Sequence, residues 1–247
     1  MPRYFIEVFY KGTNYSGFQI QRNANSIQAE IEKSLNIFFK EPFSLTGSSR
    51  TDAGVHALGN FFHFDSQSFA LFSTKRLNRI IYNLNAILPV DIVIKSIYQV
   101  ADDAHCRFDA VSREYRYYIY QQKDPFQSDR AYYYPYKLDI GILNEAATAL
   151  LSYQDFTSFS KRNTQVTSFK CDILKSEWAI EQNLLVYNVQ SNRFLRGMVK
   201  GLVGTMLKAG TGKISVAEFC KIIESKDCSN ADFSVPPQGL FLVNVQY

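Results

Sequence analysis

Two hydrophobic periods alternate along this chain, and that alternation confines it to a mixed architecture of strands and helices. From Arg3 to Tyr10 the pattern has period two: Tyr4, Ile6, Val8 and Tyr10 share one face, Arg3 and Glu7 the other, as a strand requires. The period then changes. Asn25 offers a helix cap with Gln28 three residues later, and Ile27, Ile31, Leu35 and Phe38 form a helical stripe. Residues 61–64 read as a strand, and Ser73 can cap a helix with Leu77, Ile80, Ile81 and Leu84 on one side. Leu88 and Pro89 stop that helix, and residues 92–100 return to a strand. The second half repeats the style. A strand over 113–120 and a helix over 142–151 precede a hairpin of 170–180 and 184–191, turning at Glu181, Gln182 and Asn183. A long helix over 194–208, a capping box at Ser215 and Glu218, and a closing strand over 240–247 complete the pattern. The expected fold class is α+β: two similar halves, 1–102 and 103–247, sharing a mostly antiparallel sheet with helices on its outer faces. A cleft between such halves is a natural place for a ligand.

Several function classes fall away. The four cysteines form no CxxC pair, and His56, His63 and His105 show no metal-ligand spacing, so no metal is expected. No Gly-rich phosphate loop is present either. With no membrane-length apolar stretch and no basic leader ahead of the first strand, the expectation is a cytoplasmic protein with reduced thiols. The balance of 27 Lys+Arg against 23 Asp+Glu leaves only +4, which suits an anionic partner if folding gathers the charge into a patch. The chain carries 20 Phe and 16 Tyr, rings that can stack on unpaired bases but whose commoner use is to fill a core.

One polar segment stands apart: Ser48, Ser49, Arg50, Thr51, Asp52, Ala53, Gly54, Val55 and His56 lie between a helix and a strand. In an extended loop Arg50 and Asp52, two apart, project from the same side. A carboxylate beside a cation suits an activated nucleophile or base. An Asp-x-Gly turn with a solvated arginine suits the same residues, and spacing alone does not choose between them.

The segment from Arg50 to Ala57 resembles the signature of the TruA family of tRNA pseudouridine synthases. So do further blocks in family order: 10–21, 85–92, 102–110 with 113–117, 155–159, 194–200 and 239–242. The resemblance implies the pseudouridine synthase fold, and isomerisation of uridine to pseudouridine without cofactor or metal. It implies a substrate in the anticodon arm of tRNA, at positions 38 to 40, and a homodimer in which one tRNA touches both subunits. It makes Asp52 the nucleophile or base that starts bond cleavage and Arg50 the residue that fills the space of the flipped base. Tyr115 becomes the ring against the uracil, with Tyr117 and Tyr118 left to the core. Residues His105, Arg107 and Phe108 fall against RNA, His105 ranking below Arg107 because a lone histidine more often has a structural role. Lys161 and Arg162, in the poorly matching loop 160–165, are phosphate-contact candidates, and Arg196 lies one helical turn before position 200. Where the family's helix usually carries an arginine to keep the aspartate ionised, this chain has Lys200, which lacks the bidentate fork. Ser48 and Ser49 stand where the family usually has glycines. A related synthase aimed at another RNA, and an RNA-binding module without catalysis, are the alternatives. The presence of Asp52, Arg50 and Tyr115 together favours the enzyme.

Overall fold

The computed structural model describes residues 1–71, 74–162 and 166–247, which form two compact units. The first comprises Met1–Val111 with Leu242–Tyr247, the second Ser112–Phe241.

In the first unit, β1 (Arg3–Tyr10), α1 (Ile27–Phe39), the short β2 (Thr46–Gly47), β3 (His56–Asp65), α2 (Thr74–Ile87) and β4 (Ile92–Val100) follow in order. Strand β1 pairs antiparallel with both β3 and β4, and β2 adds to β3. Period two was the signal for β1, and Tyr4, Ile6, Val8 and Tyr10 are all buried. Helix α1 buries Ile27, Ile31 and Leu35, three of the four residues of its stripe. Its cap is Ser26, whose hydroxyl accepts the Ala29 N–H, one residue later than the expected Asn25. Both residue types satisfy an orphan amide, so only the local backbone decides between them. The cap assigned to Ser73 lies outside the described residues. Tyr4, Phe39, Phe43, Phe64 and Phe69 interlock in one aromatic cluster, the core use of rings.

The second unit contains β5 (Ser112–Tyr120), β6 (Tyr132–Tyr133), α3 (Ile140–Ala149), β7 (Ile173–Glu181), β8 (Leu184–Ser191), α4 (Met198–Gly210) and α5 (Val216–Glu224). Strand β8 pairs antiparallel with β5 on one side and β7 on the other, while β6 runs parallel to β5. The β7–β8 hairpin turns through Gln182 and Asn183, both at positive φ (48° and 70°), the conformation a tight two-residue turn needs. Ser215 and Glu218 form the expected capping box of α5. Strand β9 (Leu240–Gln246) closes the chain, Leu240 and Phe241 belonging to the second unit and the remainder to the first.

Helix α4 departs from expectation at its start. The apolar spacing of Phe194 and Leu195 continues that of Met198 and Leu202, yet the helix begins only at Met198. Gly197 adopts φ 75°, a left-handed conformation no helix can contain, and so breaks the run. Arg196 therefore lies in a turn ahead of the helix rather than one turn before Lys200 on a shared face. Among the described residues, no helix is long and apolar enough to cross a membrane.

Candidate active site

The segment between β2 and β3 is a loop whose main chain is tied down along its length. The Ser48 N–H donates to the Phe61 carbonyl at 2.7 Å, and the Thr51 carbonyl accepts the Phe18 N–H at 3.1 Å. The turn at 52–55 is closed by main chain, Val55 N–H to Asp52 carbonyl at 3.2 Å, with Gly54 at φ 77°. The Asp52 carboxylate is not what closes it. Beyond the turn, the Gly12 N–H donates to Nδ1 of buried His56 at 3.0 Å, which places that ring's proton on Nε2.

Burial alternates along this backbone. Ser49 and Thr51 are 7% and 8% exposed, whereas Arg50 is exposed and Asp52 half-buried. An anchored chain thus leaves its two charged side chains accessible to solvent, Arg50 more than Asp52.

The anchors come from the stretch after β1. Gly17, at φ 107°, brings its backbone against the Thr51 carbonyl, and a side chain at Gly12 would overlap the Val55 carbonyl. That stretch is itself held by Asp91: the Tyr15 hydroxyl donates to Oδ1 at 2.5 Å and Asn14 Nδ2 to Oδ2 at 3.2 Å. Burial, then the bond to Asp91, pushes the Tyr15 hydroxyl pKa well up, so it stays a donor. Three sequence blocks far apart in the chain, 10–21, 50–57 and 85–92, therefore build one bracket.

The 104–109 turn of the same unit carries a close cluster of two rings and a guanidinium. The ring of exposed Phe108 lies 4.2 Å from the His105 ring, and the Arg107 guanidinium sits 5.6 Å from the Phe108 centroid. His105 shapes the turn from beneath: its N–H donates to Asp109 Oδ2 at 2.7 Å and its Nδ1 accepts the Arg107 N–H at 3.1 Å. Phe108 is 74% exposed, a ring presented to solvent. Under it, His63 Nδ1 lies 3.2 Å from Cys106 Sγ, and that thiol donates to the Thr46 carbonyl at 3.1 Å. Burial, helped by the charge of Arg3, lowers the His63 pKa to about 4, so the ring is neutral. Among the described residues, His63, His105 and Cys106 are the one group of potential metal ligands, their donor atoms within 4.8 Å. Positions 63, 105 and 106 gave no hint of this in the sequence; a hydrogen bond joins His63 to Cys106, and the His105 ring meets that of His63 edge-on at 4.6 Å.

The second unit holds the remaining residues. Tyr115 is 8% exposed on β5, its ring edge-on to Phe194 at 5.0 Å, and Tyr117 is fully buried. Lys200 lies half-buried in the first turn of α4, and Arg196 is exposed. The Lys161 N–H donates to the Arg196 carbonyl at 2.9 Å, and the aliphatic stem of Lys161 runs over Gly197. Lys161 and Arg196 are thus neighbours, with exposed Arg162 beside them; Asn163, Thr164 and Gln165 of that loop lie outside the described residues.

Residue choice missed the supports. Asn60, fully buried between apolar Leu58 and Phe61, donates to the Tyr10 hydroxyl and the Ser49 carbonyl. An amide inside an apolar strand was the available sign of it, because a buried amide must find partners.

The chain belongs to the tRNA pseudouridine synthase family, whose model matches residues 8–109 and 146–247, and this makes it an RNA-modifying isomerase. Its relatives narrow the class further. It is 42% identical to tRNA pseudouridine synthase A of Parabacteroides distasonis over 250 residues, covering 100% of this chain and 96% of the relative. With tRNA pseudouridine synthase A of Bacteroides fragilis the identity is 44% over 100% of this chain and 97% of the relative. With that of Staphylococcus aureus it is 37% over 98% and 90%.

Proposed function

We propose that this chain converts uridine to pseudouridine in the anticodon arm of tRNA, at positions 38 to 40, with Asp52 as the nucleophile. In this reaction the N1–C1′ bond breaks, C1′ rejoins the ring at C5, the C5 hydrogen leaves as a proton and N1 gains one. The observation that carries the reading is the anchored loop that leaves Asp52 accessible to solvent, in a chain whose whole length matches synthases of tRNA. Arg50, exposed in the same loop, fills the space of the extruded base, since a planar guanidinium can stack where a base was. Tyr115 meets the uracil ring, and Lys200 keeps the Asp52 carboxylate ionised. Arg107 and Phe108, above His105, take RNA through charge and stacking, and Lys161, Arg162 and Arg196 take phosphates. The protein works in the cytoplasm as a homodimer, with one tRNA touching both subunits, and needs no metal or cofactor.

Transfer RNA carrying tritium at uracil C5 tests the reading directly. Wild-type protein is expected to release tritium and Asp52→Ala none. A wild type inactive on every unmodified tRNA would overturn the synthase, and release surviving the substitution would overturn the role of Asp52. Sequencing the product locates the modified positions.

A further inference from the structure

We propose that Tyr10, Thr51 and Asn60 act as a positioning triad that holds the main chain on both sides of Arg50 and so aims Asp52. The inference rests on the reading of Asp52 as the group that starts the reaction.

The three side chains belong to three different pieces of chain. Tyr10 ends β1, Asn60 sits in the middle of β3, and Thr51 lies in the loop between Arg50 and Asp52. The Tyr10 hydroxyl is 2.8 Å from the Thr51 hydroxyl. Asn60 Nδ2 donates to the Tyr10 hydroxyl at 3.1 Å and to the Ser49 carbonyl at 2.9 Å, and Asn60 Oδ1 accepts the Phe61 N–H at 2.9 Å. Both amide protons and the amide oxygen are engaged, fixing the orientation of the carboxamide. Exposure is 4% for Tyr10, 8% for Thr51 and 0% for Asn60, so water cannot stand in for a lost partner.

Residue 49 is thus gripped through its carbonyl by Asn60, and residue 51 through its hydroxyl by Tyr10, which Asn60 holds in turn. Arg50 lies between the two grips and Asp52 directly after the second. None of the three side chains needs to touch the substrate. Their effect is on where the carboxylate stands, and displacement of a reacting group by about 1 Å can cost about a hundredfold in rate.

Single-turnover tritium release and tRNA binding, measured on the full chain, test the triad. Tyr10→Phe and Thr51→Val each remove one hydroxyl at nearly constant shape. Each is expected to slow single turnover about tenfold or more while tRNA Kd stays within about twofold. Thr51→Ser, which keeps the hydroxyl, is expected to recover most of the rate. The double variant Tyr10→Phe/Thr51→Val should be no slower than Tyr10→Phe, because the same bond is lost in both. Losses that multiply in the double variant would overturn the triad, as would a Thr51→Ser variant as slow as Thr51→Val. So would a Tyr10→Phe variant at the wild-type rate. Asp52→Ala, run alongside, separates the two readings. Inactive Asp52→Ala with unaffected Tyr10→Phe rejects the triad alone, whereas active Asp52→Ala rejects the role of Asp52 itself.

Discussion

Lys200 occupies the first turn of α4, where a cation works against the helix dipole by about 0.3–1 kcal/mol. A cation at that position is not selected by the helix itself. Lys200→Ala is expected to lower turnover at least about tenfold, leave tRNA affinity nearly intact and leave the thermal midpoint unchanged or slightly raised. A wild-type rate would mean that another cation serves Asp52. Phe108 presents the opposite situation, a large ring 74% exposed and supported by His105 on one side. Removing so exposed a ring costs little stability. If it stacks on a base, Phe108→Ala weakens tRNA binding by about 1–3 kcal/mol, roughly 5- to 150-fold, with single-turnover rate at saturation unchanged. Filter binding reads this, and an unaltered Kd would remove Phe108 from the RNA surface. The residue types at positions 50, 52 and 108 were legible from the sequence. That Asn60 supports the loop was not, because hydrogen bonding across strands depends on register, which no local pattern records.

At the scale of elements, the loop that carries Asp52 has little structure of its own and borrows it from the stretch after β1. At Gly12 the two backbones leave no room for a side chain. A methyl group there would overlap the Val55 carbonyl, a backbone atom that cannot rotate away, so Gly12→Ala must push the two segments apart. Overpacking of this kind costs about 1–3 kcal/mol, and here the displaced segment carries Asp52. A lowered denaturation midpoint together with lost turnover is expected. Unchanged values of both would contradict the bracket. Element types followed from periodicity almost throughout, and strands β1, β4 and β8 run over the residues the alternation marks. Boundaries failed where one backbone angle outweighed a hydrophobic pattern. Phe194 and Leu195 continue the stripe of α4, but the left-handed Gly197 starts the helix at Met198.

For the molecule as a whole, pH is the informative variable. His63 is buried with its pKa lowered to about 4, against an ordinary value of 6.5. The unfolded chain therefore takes up this proton first as pH falls, and stability is full above about 6.5 and declines toward pH 4. Arg3 and His105 face the ring and depress its pKa further, while Asp65 and Asp109 oppose them. The Arg3–Asp65 pair, whose hydrogen bond holds the Asp65 carboxyl below its usual range, is lost only at lower pH still. Urea denaturation at several pH values should show a midpoint falling through this window, with a shallower fall in His63→Gln. Equal slopes in the two proteins would exclude His63 as the source. By itself the sequence determined the α+β class, the order of elements and, through motifs running nearly the whole chain, the family. The class and the order of elements follow from periodicity and residue type, which are local, and the family from the resemblance of those motifs. Tertiary structure alone decided that Asp52 projects from an anchored loop, that Tyr10, Thr51 and Asn60 meet, and that His63 and Cys106 underlie the Phe108 turn. Each depends on strand register and on the approach of residues distant in sequence, which only the closed fold specifies.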